Sequence, residues 1–398
     1  MEASIRDKYE VVIGLEVHAQ MLTKTKAYSN DVNEYGSAPN SNISVVTLGH
    51  PGTLPVMNKK TIEFAIKLGL ACDAHIAPAQ HFARKNYFYP DLPKGYQITQ
   101  DTTPICTGGS IVIRTDDGTE KSIGLTRIHM EEDAGKSIHD VDVFDTLIDL
   151  NRAGVPLLEI VSEPDMRSSY EAYYYLTEVR KLVRYLDICD GNMEEGSLRC
   201  DANVSVNLKG AKEFGTKVEV KNMNSIRNVQ RAIDFEVKRQ IELLENGGII
   251  AQETRSFDAL KGFTISMRSK EAANDYRYFP EPDLQPLVIL QEQIDAIAKE
   301  MPPLPRDLYL KYTQEFGLSD YDAMNITDSK GIALYYESLL NHTKNAKSAA
   351  NWLMGEIKSY LNENGVSISE FPSAPERIAN LIQLIDCISW VISCSLLD

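Results

Sequence analysis

Acids, imidazoles and cations recur in this chain at every second position of short, otherwise apolar segments. In VVIGLEVHAQM, residues 11–21, Glu16 and His18 stand two apart. TRIHMEEDAGKS, residues 126–137, repeats the spacing with Arg127, His129 and Glu131. SLRCDANVSV, residues 197–206, carries Arg199, Asp201 and Asn203, and TKVEVKN, residues 216–222, carries Lys217, Glu219 and Lys221. PLLEIVSEPD, residues 156–165, adds Glu159 and Glu163. Carboxylates hold a hard cation, and Lys and Arg hold phosphate oxygens. One surface bearing both suits Mg²⁺ with a polyphosphate.

Period-two alternation predicts that these segments are β-strands, since successive strand side chains point to opposite faces. Ile13, Leu15, Val17 and Ala19 would face a core, and Gly14, Glu16, His18 and Gln20 the other side. A solvated sheet face would alternate in the same way. The His and Asn residues on it favour chemistry, because ordinary exposed strand positions need neither. Glu132 would face away from Glu131 if the alternation is strict to that point.

Two connecting segments add to this face. RKNYFYPDLPKGYQITQ, residues 84–100, sets Arg84, Lys85 and Asn86 before three aromatics, Tyr87 to Tyr89, and two prolines. Prolines stiffen such a loop, and cations beside rings suit a stacked base with phosphates alongside. KNMNS, residues 221–225, enters a helix. Lys221, Asn222 and Asn224 with that helix N-terminus would form a phosphate cradle. The alternative is plain capping by Asn224 or Ser225.

Helices are expected from Ser168 or Ser169 to about Cys189, and after Asn224 or Ser225 along the stripe Ile226, Val229, Ile233, Val237, Ile241 and Leu244. Strands and helices do not alternate regularly, so the fold class is α+β. MPPLPRD, residues 301–307, marks a boundary between a domain over 1–300 and a helical domain over 301–398. Neither a Walker-type loop nor a Rossmann glycine fingerprint occurs. Net charge is −16, which disfavours non-specific duplex binding. The N-terminus has no apolar signal core and no run spans a bilayer, so a cytoplasmic location with no membrane contact is expected. Six cysteines form no C-x-x-C pair and are expected as buried thiols.

Together the motifs GLEVHAQ, LGHPGTLP, RKNYFYPDLPKGYQI, IHMEEDAGK, NRAGVPLLEIVSEPD, EEGSLRCDANVSV, KVEVKNMNSIR, ETRSFD and DYRYFPEPDL resemble those of the GatB family, the large non-amidase subunits of the bacterial aspartyl/glutamyl-tRNA amidotransferases. They keep family order from about residue 9 to 286, and NWLMGEI at 351–357 extends the match. The resemblance implies a cradle-like mixed sheet domain similar to the glutamine synthetase fold, followed by helical bundles. It implies an ATP- and Mg²⁺-dependent carbon–nitrogen ligase acting within a three-subunit complex. The side-chain carboxylate of Glu-tRNA(Gln) or Asp-tRNA(Asn) is phosphorylated and then amidated by ammonia that a partner amidase (glutaminase) frees from glutamine. A small third subunit holds the two large ones together.

On this resemblance Glu16, His18, Glu131 and Glu132 are placed at the metal site; because Mg²⁺ prefers oxygen ligands, His18 would bind it through water or bind Mn²⁺ instead. Lys85, Arg199, Lys217, Lys221 and Arg255 are expected to screen the triphosphate. Asp201 and Asn203 would position metal or substrate. Asn86, Tyr87, Glu219, Asn222 and Asn224 complete the expected nucleotide site. Many relatives carry zinc-binding cysteine pairs between the GLEVH and LGHPG segments. None occurs here, so no zinc is expected. Relatives also continue into a tail domain that helps read tRNA. Here the resemblance fades after LIQLID, and CISWVISCSLLD is expected either as a last docked helix or as a truncated end. Two weaker readings are a free-standing ligase acting on a small carboxylate and a non-enzymatic platform.

Overall fold

A computed structural model describes residues 3–395, apart from residue 140 and residues 270–275. The chain divides into two compact units, Met1–Met301 and Pro302–Asp398. In chain order the principal strands of the first unit are β1 (Tyr9–Gln20), β2 (Ala83–Asn86), β3 (Tyr96–Thr99), β4 (Glu120–Glu132), β5 (Pro156–Ser162), β6 (Leu198–Leu208), β7 (Val218–Lys221), β8 (Glu253–Asp258), β9 (Phe263–Ser269) and β10 (Arg277–Pro280). They form the main path of a 13-stranded sheet in the order β9-β8-β7-β6-β1-β5-β4-β3-β2-β10.

Neighbours on this path run antiparallel except β7 and β8, which are parallel. A parallel pair needs a crossover. The connection contains the helix Ile226–Glu245. A second long helix, Ser169–Tyr185, packs beside it, and in chain order these two are α1 (Ser169–Tyr185) and α2 (Ile226–Glu245). The caps resolve the two alternatives in the sequence. Ser168 Oγ accepts from Glu171 N, and Ser225 Oγ accepts from Asn228 N. α1 ends at Tyr185, short of Cys189, where Asp187 turns the chain with φ +54°.

Burial follows the alternation. Ile13, Leu15, Val17 and Ala19 are fully buried, whereas Gly14, Glu16, His18 and Gln20 are half-buried. Each fully buried aliphatic side chain contributes roughly 1.5–3 kcal/mol, so the apolar face fixes the register of β1. α2 presents Val229, Ile233, Val237 and Ile241 to the core, as its stripe predicts. The opposite, polar face of the central strands is therefore held rigidly by packing on the apolar side.

The second unit is helical: α3 (Pro305–Gln314), α4 (Asp320–Thr327), α5 (Lys330–Leu340), α6 (Ala346–Trp352) and, at its end, α7 (Pro375–Ser395), with a π-helical turn at Leu353–Ile357. Tyr312 and Tyr336 are fully buried and meet edge-to-face at 5.0 Å. The CISWVISCSLLD segment continues α7 as far as Ser395. Whether Trp390 and Cys394 dock lies outside the described residues.

Candidate active site

Cross-strand register joins the charged positions into one surface. His18 of β1 lies opposite Glu159 of β5 on one side and Arg199 of β6 on the other. Glu159 in turn faces His129 of β4. Glu16 pairs with Asp201, and Asn203 pairs with Glu219 of β7. Paired residues on adjacent strands share a face, so five strands contribute to a single polar surface.

Glu159 is the centre of this surface. Its carboxylate lies 3.4 Å from His18 Nε2 and 3.2 Å from His129 Nε2. Burial works against its charge, but hydrogen bonds from the two imidazoles outweigh this and hold its carboxyl well below the ordinary range. Burial likewise opposes protonation of His18, yet the hydrogen bond to Glu159 and that group's charge raise the imidazole above its ordinary value. Lys85 Nζ of β2 reaches Glu131 Oε1 at 3.2 Å. Although the Lys85 amine is buried, the Glu131 and Glu159 charges keep it protonated far into the alkaline range. One ligand atom from each of His18, Glu131 and Glu159 lies within 4.8 Å of the others.

Two ion-pair systems flank this centre. Lys221 Nζ lies 2.5 Å from Asp201 and 2.8 Å from Glu219, and Thr254 Oγ1 donates to Glu219 at 2.8 Å. Despite burial, Lys221 lowers the Glu219 carboxyl, with Lys217 contributing. Asn203 Nδ2 donates to Glu16 Oε1 at 2.8 Å. On the other flank, buried Asp133 accepts from Arg199 and from Gln20, both at 2.8 Å, with Arg152 at 3.6 Å.

The structure brings together Glu16, His18, Lys85, Glu131, Arg199, Asp201, Asn203, Glu219 and Lys221, and leaves Lys217 exposed just before β7. Tyr87 joins them through Gln97, to whose Oε1 its hydroxyl donates at 2.8 Å. Five expected residues are set apart. Glu132 alternates to the reverse face, where it pairs with Lys94 and accepts from Ile98 N at 2.9 Å. Arg255 lies opposite Val220 and so faces α2. There it is spent on Glu253 at 2.6 Å, on Thr264 and on fully buried Glu236 at 3.6 Å. Asn86 donates to the carbonyls of Arg84 and Arg277. Asn222 donates to the Phe257 carbonyl, and Asn224 accepts from Asn228.

Two residues missing from the expected site stand at its heart. Both show a signal in the sequence: Glu159 is an isolated charge in a run of Leu, Ile and Val, and His129 stands between Ile128 and Met130 on the face of Arg127 and Glu131. Glu159 is only 8% exposed and His129 3%.

The reverse face holds a second feature. A cavity of about 210 Å³ is lined by Tyr28, Thr47, His50, Arg84, Lys94 and Glu132, among others. The turn LGHPG closes on Lys94 so tightly that a Cβ on Gly49, whose φ is +68°, would lie 2.6 Å from Lys94 Cγ. Beside Gly154, behind Thr47 and Glu132, the Lys26 side chain is fully buried and its amine makes no hydrogen bond. Burial pulls that amine down to about 8, although Asp31, Glu132 and Asp149 lie near.

An α+β domain whose sheet turns one face to helices, and sets acids among cations on the other, has the make-up of a catalytic domain handling charged substrates. Residues 11–295 match the sequence profile of the GatB/GatE catalytic domain, and residues 334–388 match that of the GatB domain. The chain is 54% identical over 379 residues to the GatB subunit of the aspartyl/glutamyl-tRNA(Asn/Gln) amidotransferase of Syntrophotalea carbinolica, covering 95% of this chain and 79% of that protein. It is 55% identical over 377 residues to the corresponding subunit of Hydrogenovibrio crunogenus, with the same coverage. The chain belongs to the GatB family of aspartyl/glutamyl-tRNA(Asn/Gln) amidotransferase subunits. Among the described residues no helix is long and apolar enough to cross a membrane.

Proposed function

We propose that this chain is the kinase and transamidase subunit of a tRNA-dependent amidotransferase, a carbon–nitrogen ligase with glutamine as amido donor. It uses ATP to phosphorylate the side-chain carboxylate of Glu-tRNA(Gln) or Asp-tRNA(Asn), and ammonia then displaces the phosphate to give the amide. Its partners are the amidase, which supplies the ammonia, and the small third subunit, and the complex works in the cytoplasm. The observation that carries this reading is the polar face shared by β1, β4, β5, β6 and β7, on a chain more than half identical to GatB relatives.

The attacking carboxylate is already ionised near neutral pH, with an unperturbed pKa of about 4, and needs no general base. The difficulty is that one anion must approach another. Lys85, Arg199 and Lys221 are the cations on this face that reduce the repulsion. Each is fixed by an acid, through Glu131, Asp133 and Asp201. Their remaining N–H donors are therefore pre-aimed rather than ordered at the moment of binding. Glu16 and Asn203 position one another between these cations.

Glu131 and Glu159 would hold a divalent ion such as Mg²⁺ with water completing its shell, and His18 beside them would bind it through water or meet Mn²⁺ directly. When bound, that ion would screen the triphosphate charge.

The test is ATP hydrolysis by the reconstituted three-subunit complex with Mg²⁺, with and without Glu-tRNA(Gln). Stimulation by the charged tRNA that disappears in Glu16→Gln is expected. Hydrolysis indifferent to charged tRNA, or unaffected by the substitution, would overturn this reading.

A further inference from the structure

The open face ends on one side in a wall of tyrosine rings. β10 pairs antiparallel with β2 along the sheet edge, with Tyr278 opposite Lys85 and Arg277 opposite Asn86. This register puts Tyr278 on the same face as Lys85 and Glu131. Tyr87 and Tyr276 meet there at a centroid separation of 5.6 Å, and Tyr276 and Tyr278 at 6.5 Å. Segments almost two hundred residues apart in sequence thus form one aromatic row.

We infer that Tyr276, Tyr278 and Tyr87 form a stacking platform for an adenosine base whose phosphate lies toward Lys85. The inference rests on the nucleotide-dependent reading above and assigns the base to one edge of the same face. Three features support it. The rings meet near-perpendicular, at 75° and 72°, an edge-to-face packing rather than a closed parallel stack. Tyr276 and Tyr278 remain 38% and 42% exposed beside a half-buried catalytic face, although an aromatic without a ligand gains from complete burial. Lys85 Nζ lies 5.1 Å from the Tyr276 centroid and 3.2 Å from Glu131, so one cation links the rings to the acids. A purine on the rings would place its phosphates within reach of the cation that the kinase step needs. The adenosine can belong to ATP or to the 3′ end of the acylated tRNA, since the two present the same base.

The experiment is equilibrium binding to the full chain in Mg²⁺ buffer of three probes: ATP, inorganic tripolyphosphate, and an oligoribonucleotide ending in a 3′ adenosine. Tyr276→Ala and Tyr278→Ala are compared with Tyr276→Phe and Tyr278→Phe, which keep the ring. The alanine variants are expected to weaken an adenosine-bearing probe roughly five- to a hundredfold while tripolyphosphate binding stays within about twofold, and the phenylalanine variants to bind as wild type. A loss confined to ATP assigns the platform to the cosubstrate. A loss confined to the oligonucleotide assigns it to the tRNA end. Alanine variants that bind both adenosine probes like a wild type that does bind them would overturn the inference alone, as would equal loss of tripolyphosphate. A wild-type chain that binds neither ATP nor tripolyphosphate would overturn the nucleotide-dependent reading and this inference with it.

Discussion

Replacing Lys26 with Met should stabilise the first unit at neutral pH, and the size follows from its surroundings. The Lys26 side chain is fully buried, and its amine has no hydrogen-bond partner. Its pKa falls from 10.5 to about 8. At 1.36 kcal/mol per unit the gap corresponds to about 3 kcal/mol. Below pH 8 the folded protein holds a buried ammonium and the whole cost is present. Between pH 8 and 10.5 the unfolded chain keeps a proton that the folded protein has released, so wild-type stability rises with pH. Lys26→Met keeps the length of the stem and has no charge to desolvate. It should gain up to about 3 kcal/mol at pH 7, an advantage that shrinks as pH approaches 10.5. With a urea m-value of roughly 3 kcal/mol/M, the midpoint followed by far-UV circular dichroism should move by about 1 M at pH 7. Equal midpoints at pH 7, or a gap undiminished near pH 10.5, would refute the assignment of a buried amine without a hydrogen-bond partner.

Glu159→Gln removes the charge that raises the His18 imidazole, so the His18 titration followed by NMR should move to lower pH; an unmoved titration would place the control elsewhere. Arg255→Met removes one cation beside fully buried Glu236, which keeps its two hydrogen bonds from Arg239, and should cost roughly 1–3 kcal/mol in denaturant unfolding. It should leave ATP affinity unchanged in the surviving folded fraction, whereas a large affinity loss would restore Arg255 to the phosphate site. Asn222 sits at φ +67°. Asn222→Gly should therefore lose only the hydrogen bond to the Phe257 carbonyl, about 1 kcal/mol in thermal unfolding, and Asn222→Val a further 1–3 kcal/mol, roughly, from strain.

Much of this architecture is legible in the sequence. Alternation alone puts Glu16, His18, Glu131, Arg199, Asp201 and Lys221 on the polar side of their strands, because a buried apolar face leaves a strand only one register. Ser225, rather than Asn224, as the cap of α2 was within the expected pair. Less legible was which strand lies beside which. Glu159 becomes the centre only because β5 sits between β1 and β4, and no local pattern states that order. Arg255 illustrates the same limit. Its period-two position was as good as that of Thr254, and only the parallel register with β7 shows that it faces the helix. Lys26 was invisible for another reason: a lysine in a polar loop reads as solvated, and its burial depends on the distant Gly154 turn.

The place of β1 has a consequence for synthesis. It is made before every other strand on the main path of its sheet, yet it lies in the middle, hydrogen-bonded on one side to β5 and on the other to β6. Both partners lie well over a hundred residues downstream. At a synthesis rate of roughly 5–20 residues per second, β1 leaves the ribosome tens of seconds before β6 has been made. During that interval VVIGLEVHAQ has both edges open and is the kind of segment that pairs with other nascent chains. Glu16 and His18 interrupt its apolar run, and polar residues in that position are what limits such pairing in an exposed strand.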